Sequence, residues 1–201
     1  MNNNALMRNE DPKVQFESLL RSTNRNGMES VLHMLNLGDF YTAPASTRFH
    51  GAESGGLLTH SLATCETLNA LAVAFPDSFA IVPRESIIIA SLLHDVCKMD
   101  FYKKGFRNRK NEATGQWEKV EVYEIEDQFP LGHGEKSVIL LLQWGLLLTS
   151  SEMMAIRWHM GGFDDAGRAY GGAQSLTVAM QEPLVTFLHA ADLIAGNVWR
   201  R

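Results

Sequence analysis

The chain has 201 residues, 45% of them hydrophobic and 20% charged, and a formal net charge of −5. This is the composition of one ordinary globular domain. It excludes polyanion binding by bulk charge, so affinity for phosphate has to come from a local patch or a metal. Two cysteines, Cys65 and Cys97, exclude a disulfide framework and fit a reducing compartment.

Residues 1–10 are Asn-rich without an apolar core and do not read as a signal peptide. Residues 1–11 are expected to be a loose tail. Pro12 suits the first turn of a helix over about 12–25, with Val14, Phe16, Leu19 and Leu20 as its stripe. Gly27 breaks that helix. A second, over 28–37, carries Val31, Leu32 and Leu35 and closes at Gly38. Residues 40–55 read as loop. A long helix over about 57–75 shows Leu58, Leu62, Leu68, Leu71 and Ala72 at helical spacing and stops at Pro76.

Pro83 opens a helix that runs into His94-Asp95. Residues 101–110 are basic and aromatic, 111–115 are a turn signal, and 117–125 alternate, so a β-hairpin over about 100–126 is expected within a helical protein. Helical pattern resumes over 135–148. The apolar run 138–148, broken by Gln143 and Gly145, is well short of the roughly 20 residues that span a bilayer. Ser150 or Ser151 is the expected cap of a helix ending near His159. Residues 161–172 read as a Gly- and Asp-rich loop and 175–181 as a short helix. Pro183 starts a last helix that carries His189 and Asp192 and runs to about Trp199.

Six residues stand out: His60, His94, Asp95, His133, His159 and Asp192. Most fall within or at the ends of helices otherwise built from Leu, Ile, Ala and Val. Ionisable groups buried there are costly unless paired or bound to a metal. Imidazole nitrogen with carboxylate oxygen suits Mn, Fe, Ni, Co or Zn. Three or four such ligands leave room for water and a phosphate oxygen, and six can hold two ions about 3.5–4 Å apart with Asp95 between them.

The phrases Gly55-Gly56-Leu57-Leu58-Thr59-His60-Ser61, Leu92-Leu93-His94-Asp95-Val96-Cys97-Lys98 and Ala190-Ala191-Asp192-Leu193-Ile194 resemble, in wording and order, the motifs of HD-domain metal-dependent phosphohydrolases. The resemblance covers roughly residues 40–198. It implies an all-α helical bundle, here with the inserted β-hairpin, and a buried site for one or two divalent ions (Mn, Fe, Ni, Co, Zn or Mg). It also implies hydrolysis of a phosphomonoester or phosphodiester, usually of a nucleotide, with nucleic acid within its range. His60, His94, Asp95 and Asp192 match the first metal's ligands, and His133 and His159 the second's. Lys98 matches a lysine that contacts the substrate phosphate. Asp95 and Lys98 are therefore the expected catalytic pair. The tail and first helices, 1–39, are expected to pack on a domain of 40–201.

Where dinuclear relatives carry a His-His pair or a Gly-Tyr-Pro element, this chain has His159-Met160-Gly161-Gly162. A cyclic dinucleotide phosphodiesterase of that type is not supported. The alternatives are a mononuclear nucleotidase or triphosphohydrolase, in which His133 and His159 touch substrate, and a catalytically silent nucleotide sensor.

His189, three residues before Asp192, shares its helix face and is a candidate for orienting a ligand, with core packing as the rival reading. His50 is a candidate at the site mouth. The cations Lys98, Lys103, Lys104, Arg107, Arg109 and Lys110 form either a positive rim for an anionic substrate or a solvated face balanced by Glu118, Glu121, Glu124, Glu126 and Asp127. Lys103 joins Lys98 as a candidate substrate contact. Residues 138–148 and the hairpin are the surfaces offered for a homo-oligomer. The expected setting is cytoplasmic, with no membrane partner.

Overall fold

A computed structural model describes residues 11–47 and 51–198. Its helices are α1 (Pro12–Arg21), α2 (Met28–Leu37), α3 (Gly56–Ala74), α4 (Pro76–Phe79), α5 (Arg84–Leu93), α6 (His133–Gln143), α7 (Ser150–Trp158), α8 (Asp165–Arg168), α9 (Gly172–Ala179) and α10 (Pro183–Asn197). Short 3-10 turns occupy Val96–Lys98 and Gly161–Phe163. Strands β1 (Tyr102–Lys110) and β2 (Trp117–Ile125) pair antiparallel, from Tyr102 opposite Ile125 to Lys110 opposite Trp117. The protein is thus mostly helical with one hairpin, as the pattern predicts. Of the tail expected over 1–11, residues 1–10 lie outside the described residues, as do His50 and Trp199, whereas Asp11 caps α1 by accepting from the Lys13 N–H at 2.8 Å.

Helix α5 is the axis of the bundle. All of Ser86 to Leu93 is buried, which is why Ile87 to Leu93 reads as an apolar run, interrupted only by Ser91, and not a stripe. Around it, α3 packs on α5 and α10, α7 on α10, α5 and α6, and α1 on α3 and α5. Leu57, Leu68, Ile88, Leu92, Leu141, Ile156, Leu184 and Leu188 join one core.

Several boundaries differ from the sequence reading, each for a local reason. α1 stops at Arg21 because the Ser22 and Thr23 hydroxyls donate back to the carbonyls of Leu19 and Leu20, and Asn24 turns to φ +50°. α6 stops at Gln143. Gly145, at φ +83°, donates to Leu142 O, and Leu146 donates to Leu141 O. This paired closure ends the helix and buries Leu146 and Leu148 as loop residues. The cap of α7 is Thr149, one residue before the expected serines. It exchanges hydrogen bonds with Glu152, its hydroxyl accepting from the Glu152 N–H. The Gly-rich loop holds a 3-10 turn and α8, and the short helix after it begins at Gly172.

The first two helices are tied to the bundle by a partly buried charge pair. Arg25 reaches Glu152 with two hydrogen bonds of 2.7 and 2.8 Å, and Ser86 Oγ donates to the same carboxylate at 2.7 Å. Glu152 is fully buried, so these donors replace the water its carboxylate has lost.

Candidate metal centre

Each of the six residues sits where a helix delivers it. His60 lies one turn into α3, Asp192 lies within α10, and His133 is the first residue of α6. His94 and His159 are the residues closing α5 and α7. Asp95 follows His94 and opens the turn that carries Lys98. Five segments therefore meet at one point.

Gly134 explains how α6 gets close enough. A Cβ there would lie 2.2 Å from the carbonyl oxygen of Arg157, so the α6 and α7 backbones touch. That approach brings the His133 and His159 rings to a centroid separation of 5.2 Å. Arg157 reinforces the junction through ion pairs to Glu135 and, at 2.8 Å, to Asp164. Asp164, within the stretch read from sequence as a Gly- and Asp-rich loop, pairs with Arg157 and caps α8.

The two oxygens of Asp95 face different partners. Oδ2 lies 3.4 Å from His94 Nε2, 3.6 Å from His60 Nε2 and 2.6 Å from the Lys98 ammonium. Oδ1 lies 2.7 Å from His133 Nε2 and 3.4 Å from His159 Nε2. Asp192 Oδ1 stands 3.0 Å from His60 Nε2 and 3.8 Å from His94 Nε2. His60, His94 and Asp192 form one compact ligand group, and His94, Asp95 and His159 a second. Asp95, Cys97 and His133 form a third.

Burial alone would push the Asp95 carboxyl up, but the Lys98 ammonium, His94 and the hydrogen bond with His133 hold it well below the usual carboxylate value. Asp192 is likewise held low against its own burial, chiefly by its hydrogen bond with His60. Burial opposes the Lys98 charge, yet Asp95 keeps its pKa above the free value. Desolvation holds His133 below the ordinary histidine value despite the pull of Asp95, which favours a neutral ring. Cys97 Sγ lies 3.4 Å from His133 Nδ1, and burial, then Asp95, push its thiol up to about 12.

A cation fits this donor set. His94 Nδ1 donates to Ser91 O at 2.8 Å, and His159 Nδ1 donates to Ile156 O at 2.7 Å. These bonds assign the proton to Nδ1 and leave each Nε2 as a lone pair. The His94 lone pair faces His60 Nε2 at 3.3 Å and two carboxylates. His159 Nε2 is buried, aimed at Asp95, and makes no hydrogen bond. Metal–ligand bonds of about 2.0–2.2 Å put neighbouring donor atoms roughly 3–3.5 Å apart, close to the spacings found.

A cavity of about 420 Å³ opens beside Asp95, Lys98, Asp192 and His189, with Met160, Phe163 and Leu193 among its apolar walls. Sequence reasoning gave none of these three a place at the site, although Met160 and Leu193 lie inside the motifs it singled out. Phe163 sits in the Gly-rich loop, where no periodicity marks it. His189 Nδ1 donates to His159 O at 2.5 Å, so it touches the segment of one candidate ligand and also lines the cavity. Lys103 lies apart from the cavity. It is exposed and pairs with Glu126 at 2.8 Å, and Lys104 pairs with Glu121 at 2.8 Å. His33 is an exposed residue of α2.

The helical fold thus brings together histidine and aspartate groups that could hold a metal ion. The family model described as HD domain matches residues 57–197, and the chain belongs to that family, the HD metal-dependent phosphohydrolase superfamily. No curated protein and no solved structure matches the chain. Among the described residues no helix is long and apolar enough to cross a membrane.

Proposed function

We propose that the protein is a divalent-metal-dependent phosphohydrolase acting on a phosphomonoester or phosphodiester of a nucleotide. The observation that carries this reading is the division of Asp95 between two sets of imidazoles, with a lysine on the same carboxylate and a nucleotide-sized cavity beside it. His60, His94, Asp95 and Asp192 would hold one ion, and Asp95, His133 and His159 a second.

When bound, such ions supply Lewis acidity toward a phosphoryl oxygen and toward the attacking water. The remaining work belongs to the chain. Lys98, held at 2.6 Å from Asp95, keeps a positive charge at the cavity wall and offsets charge that develops on the phosphoryl group. Asp95, an anion throughout, orients donors around it and accepts from water. Met160, Phe163 and Leu193 give a base or sugar an apolar surface and exclude bulk water. His189 holds the main chain at His159 and so positions that ring.

Metal analysis of protein purified without chelator, followed by turnover of nucleoside mono-, di- and triphosphates and linear dinucleotides with Mn, tests the reading. About two ions per chain with turnover is the expected result, and about one would return His133 and His159 to substrate contact. A full metal complement with no turnover on any of these would make the domain a nucleotide sensor.

A further inference from the structure

The hairpin carries two unlike faces. Strand alternation and register place Tyr102, Lys104, Phe106 and Lys110 of β1 on one face with Trp117, Lys119, Tyr123 and Ile125 of β2. Contacts confirm the assignment. Lys119 Nζ sits 4.5 Å above the Phe106 ring, Tyr102 and Tyr123 stack edge-on at 6.4 Å, and Lys104 pairs with Glu121. Glu121 is the one carboxylate of this face, against three lysines. The hairpin as a whole has six cations and four carboxylates in a chain of net charge −5.

Phe106 is 60% exposed and Trp117 71% exposed, and neither belongs to the hydrophobic core. The strands pack chiefly on each other. A solitary hairpin is marginal in water, so such rings are an expense unless something covers them. The face is also continuous with the centre. Tyr102 follows the turn bearing Lys98, and its hydroxyl donates to Ala45 O at 3.5 Å, a residue of the cavity wall. From there the nine-residue strand reaches about 30 Å outward.

We propose that this face is a docking platform for single-stranded nucleic acid, whose bases stack on Phe106 and Trp117 while Lys104, Lys110 and Lys119 meet the phosphates. Rings alternating with cations are what a flexible polyanion with flat bases requires. The proposal rests on the phosphohydrolase reading of the same site, and it names the substrate class as an oligonucleotide whose end enters the cavity.

The test is anisotropy of a fluorescent single-stranded oligonucleotide titrated with the full chain. Wild type is expected to bind, with affinity falling as salt rises at a logarithmic slope of about −2 for three phosphate contacts. The double variant F106A/W117A and the charge reversal K110E/K119E are each expected to weaken binding about tenfold or more. Circular dichroism and hydrolysis of a mononucleotide should stay unchanged in both. Two variants of opposite chemistry guard against a hairpin that merely unfolds.

Equal binding by variants and wild type overturns the proposal. So does preference for duplex, or a wild-type dimer that the aromatic variants dissociate while no oligonucleotide binds. Oligonucleotide binding through the hairpin in a protein that turns over no phosphate ester would remove the hydrolase reading and leave the platform standing.

Discussion

His133 Nε2 lies 2.7 Å from Asp95 Oδ1, on the carboxylate oxygen that Lys98 does not touch. One carboxylate thus serves two sides of the centre. Replacing Asp95 with Ala is expected to empty both sides, whereas His133→Ala should remove about one ion and leave the other. Elemental analysis of the purified variants reads this directly. Retention of two ions by the Asp95 variant would remove that residue from the ligand set.

Gly134→Ala tests the approach of α6 to α7. The added methyl meets the Arg157 carbonyl at 2.2 Å, so the helices must separate. Overpacking of this kind costs about 1–3 kcal/mol. Denaturant unfolding should show that loss, and metal content should fall on the His133 side. The same substitution at Gly115 meets no atom within 4 Å, although its φ of +70° still favours glycine there.

Arg25→Met leaves Glu152 buried without its charged partner. Breaking such a pair costs about 3–5 kcal/mol. The loss should appear as a lowered denaturation midpoint and shrink in the double variant with Glu152→Gln. Equal losses in the single and double variants would show that the pair itself contributes little.

Stability should respond to pH at both extremes through Glu17 and Tyr41, which lie away from the centre. Burial alone would raise Glu17, but hydrogen bonds from Asn36, Arg21 and Tyr41 bring it below its ordinary value. Its contribution is therefore present above the free carboxylate value of about 4.3 and fades as pH falls through the lower folded value. Burial, then Glu17, raises Tyr41 above the free phenol value. Its contribution is complete below about pH 10 and is lost as pH rises toward the folded value. Thermal melts of Glu17→Gln should show a smaller acid limb, and those of Tyr41→Phe a smaller alkaline limb.

Much of this was legible in the sequence because it depends on local signals. Pro12, Gly38, Pro76 and Pro83 punctuate helices wherever the chain goes, and α2 runs from Met28 to Leu37 as its pattern predicts. The turn and alternation over 102–125 suffice for a hairpin. The six candidate ligands were found by residue type and motif, and the fold draws them together. What stayed hidden depends on tertiary contact. Leu146 and Leu148 look helical in the apolar run, but the Gly145 closure makes them loop residues in the core. Asp164 looks solvated until Arg157 arrives from α7. Phe163 has no pattern around it, and only the cavity gives it a place.

The imidazoles of His94 and His159 each lean on the main-chain carbonyl three residues back, at Ser91 and Ile156. Side-chain replacement cannot delete a carbonyl. Ring orientation at these two positions is therefore insulated from drift in residues 91 and 156 so long as the last helical turn survives. Each helix end behaves as a self-contained cassette: four consecutive residues supply both the nitrogen that faces the centre and the means of aiming it. Selection at this centre then falls on keeping the two helix ends in place, and the side chains that precede each histidine are left to serve the core.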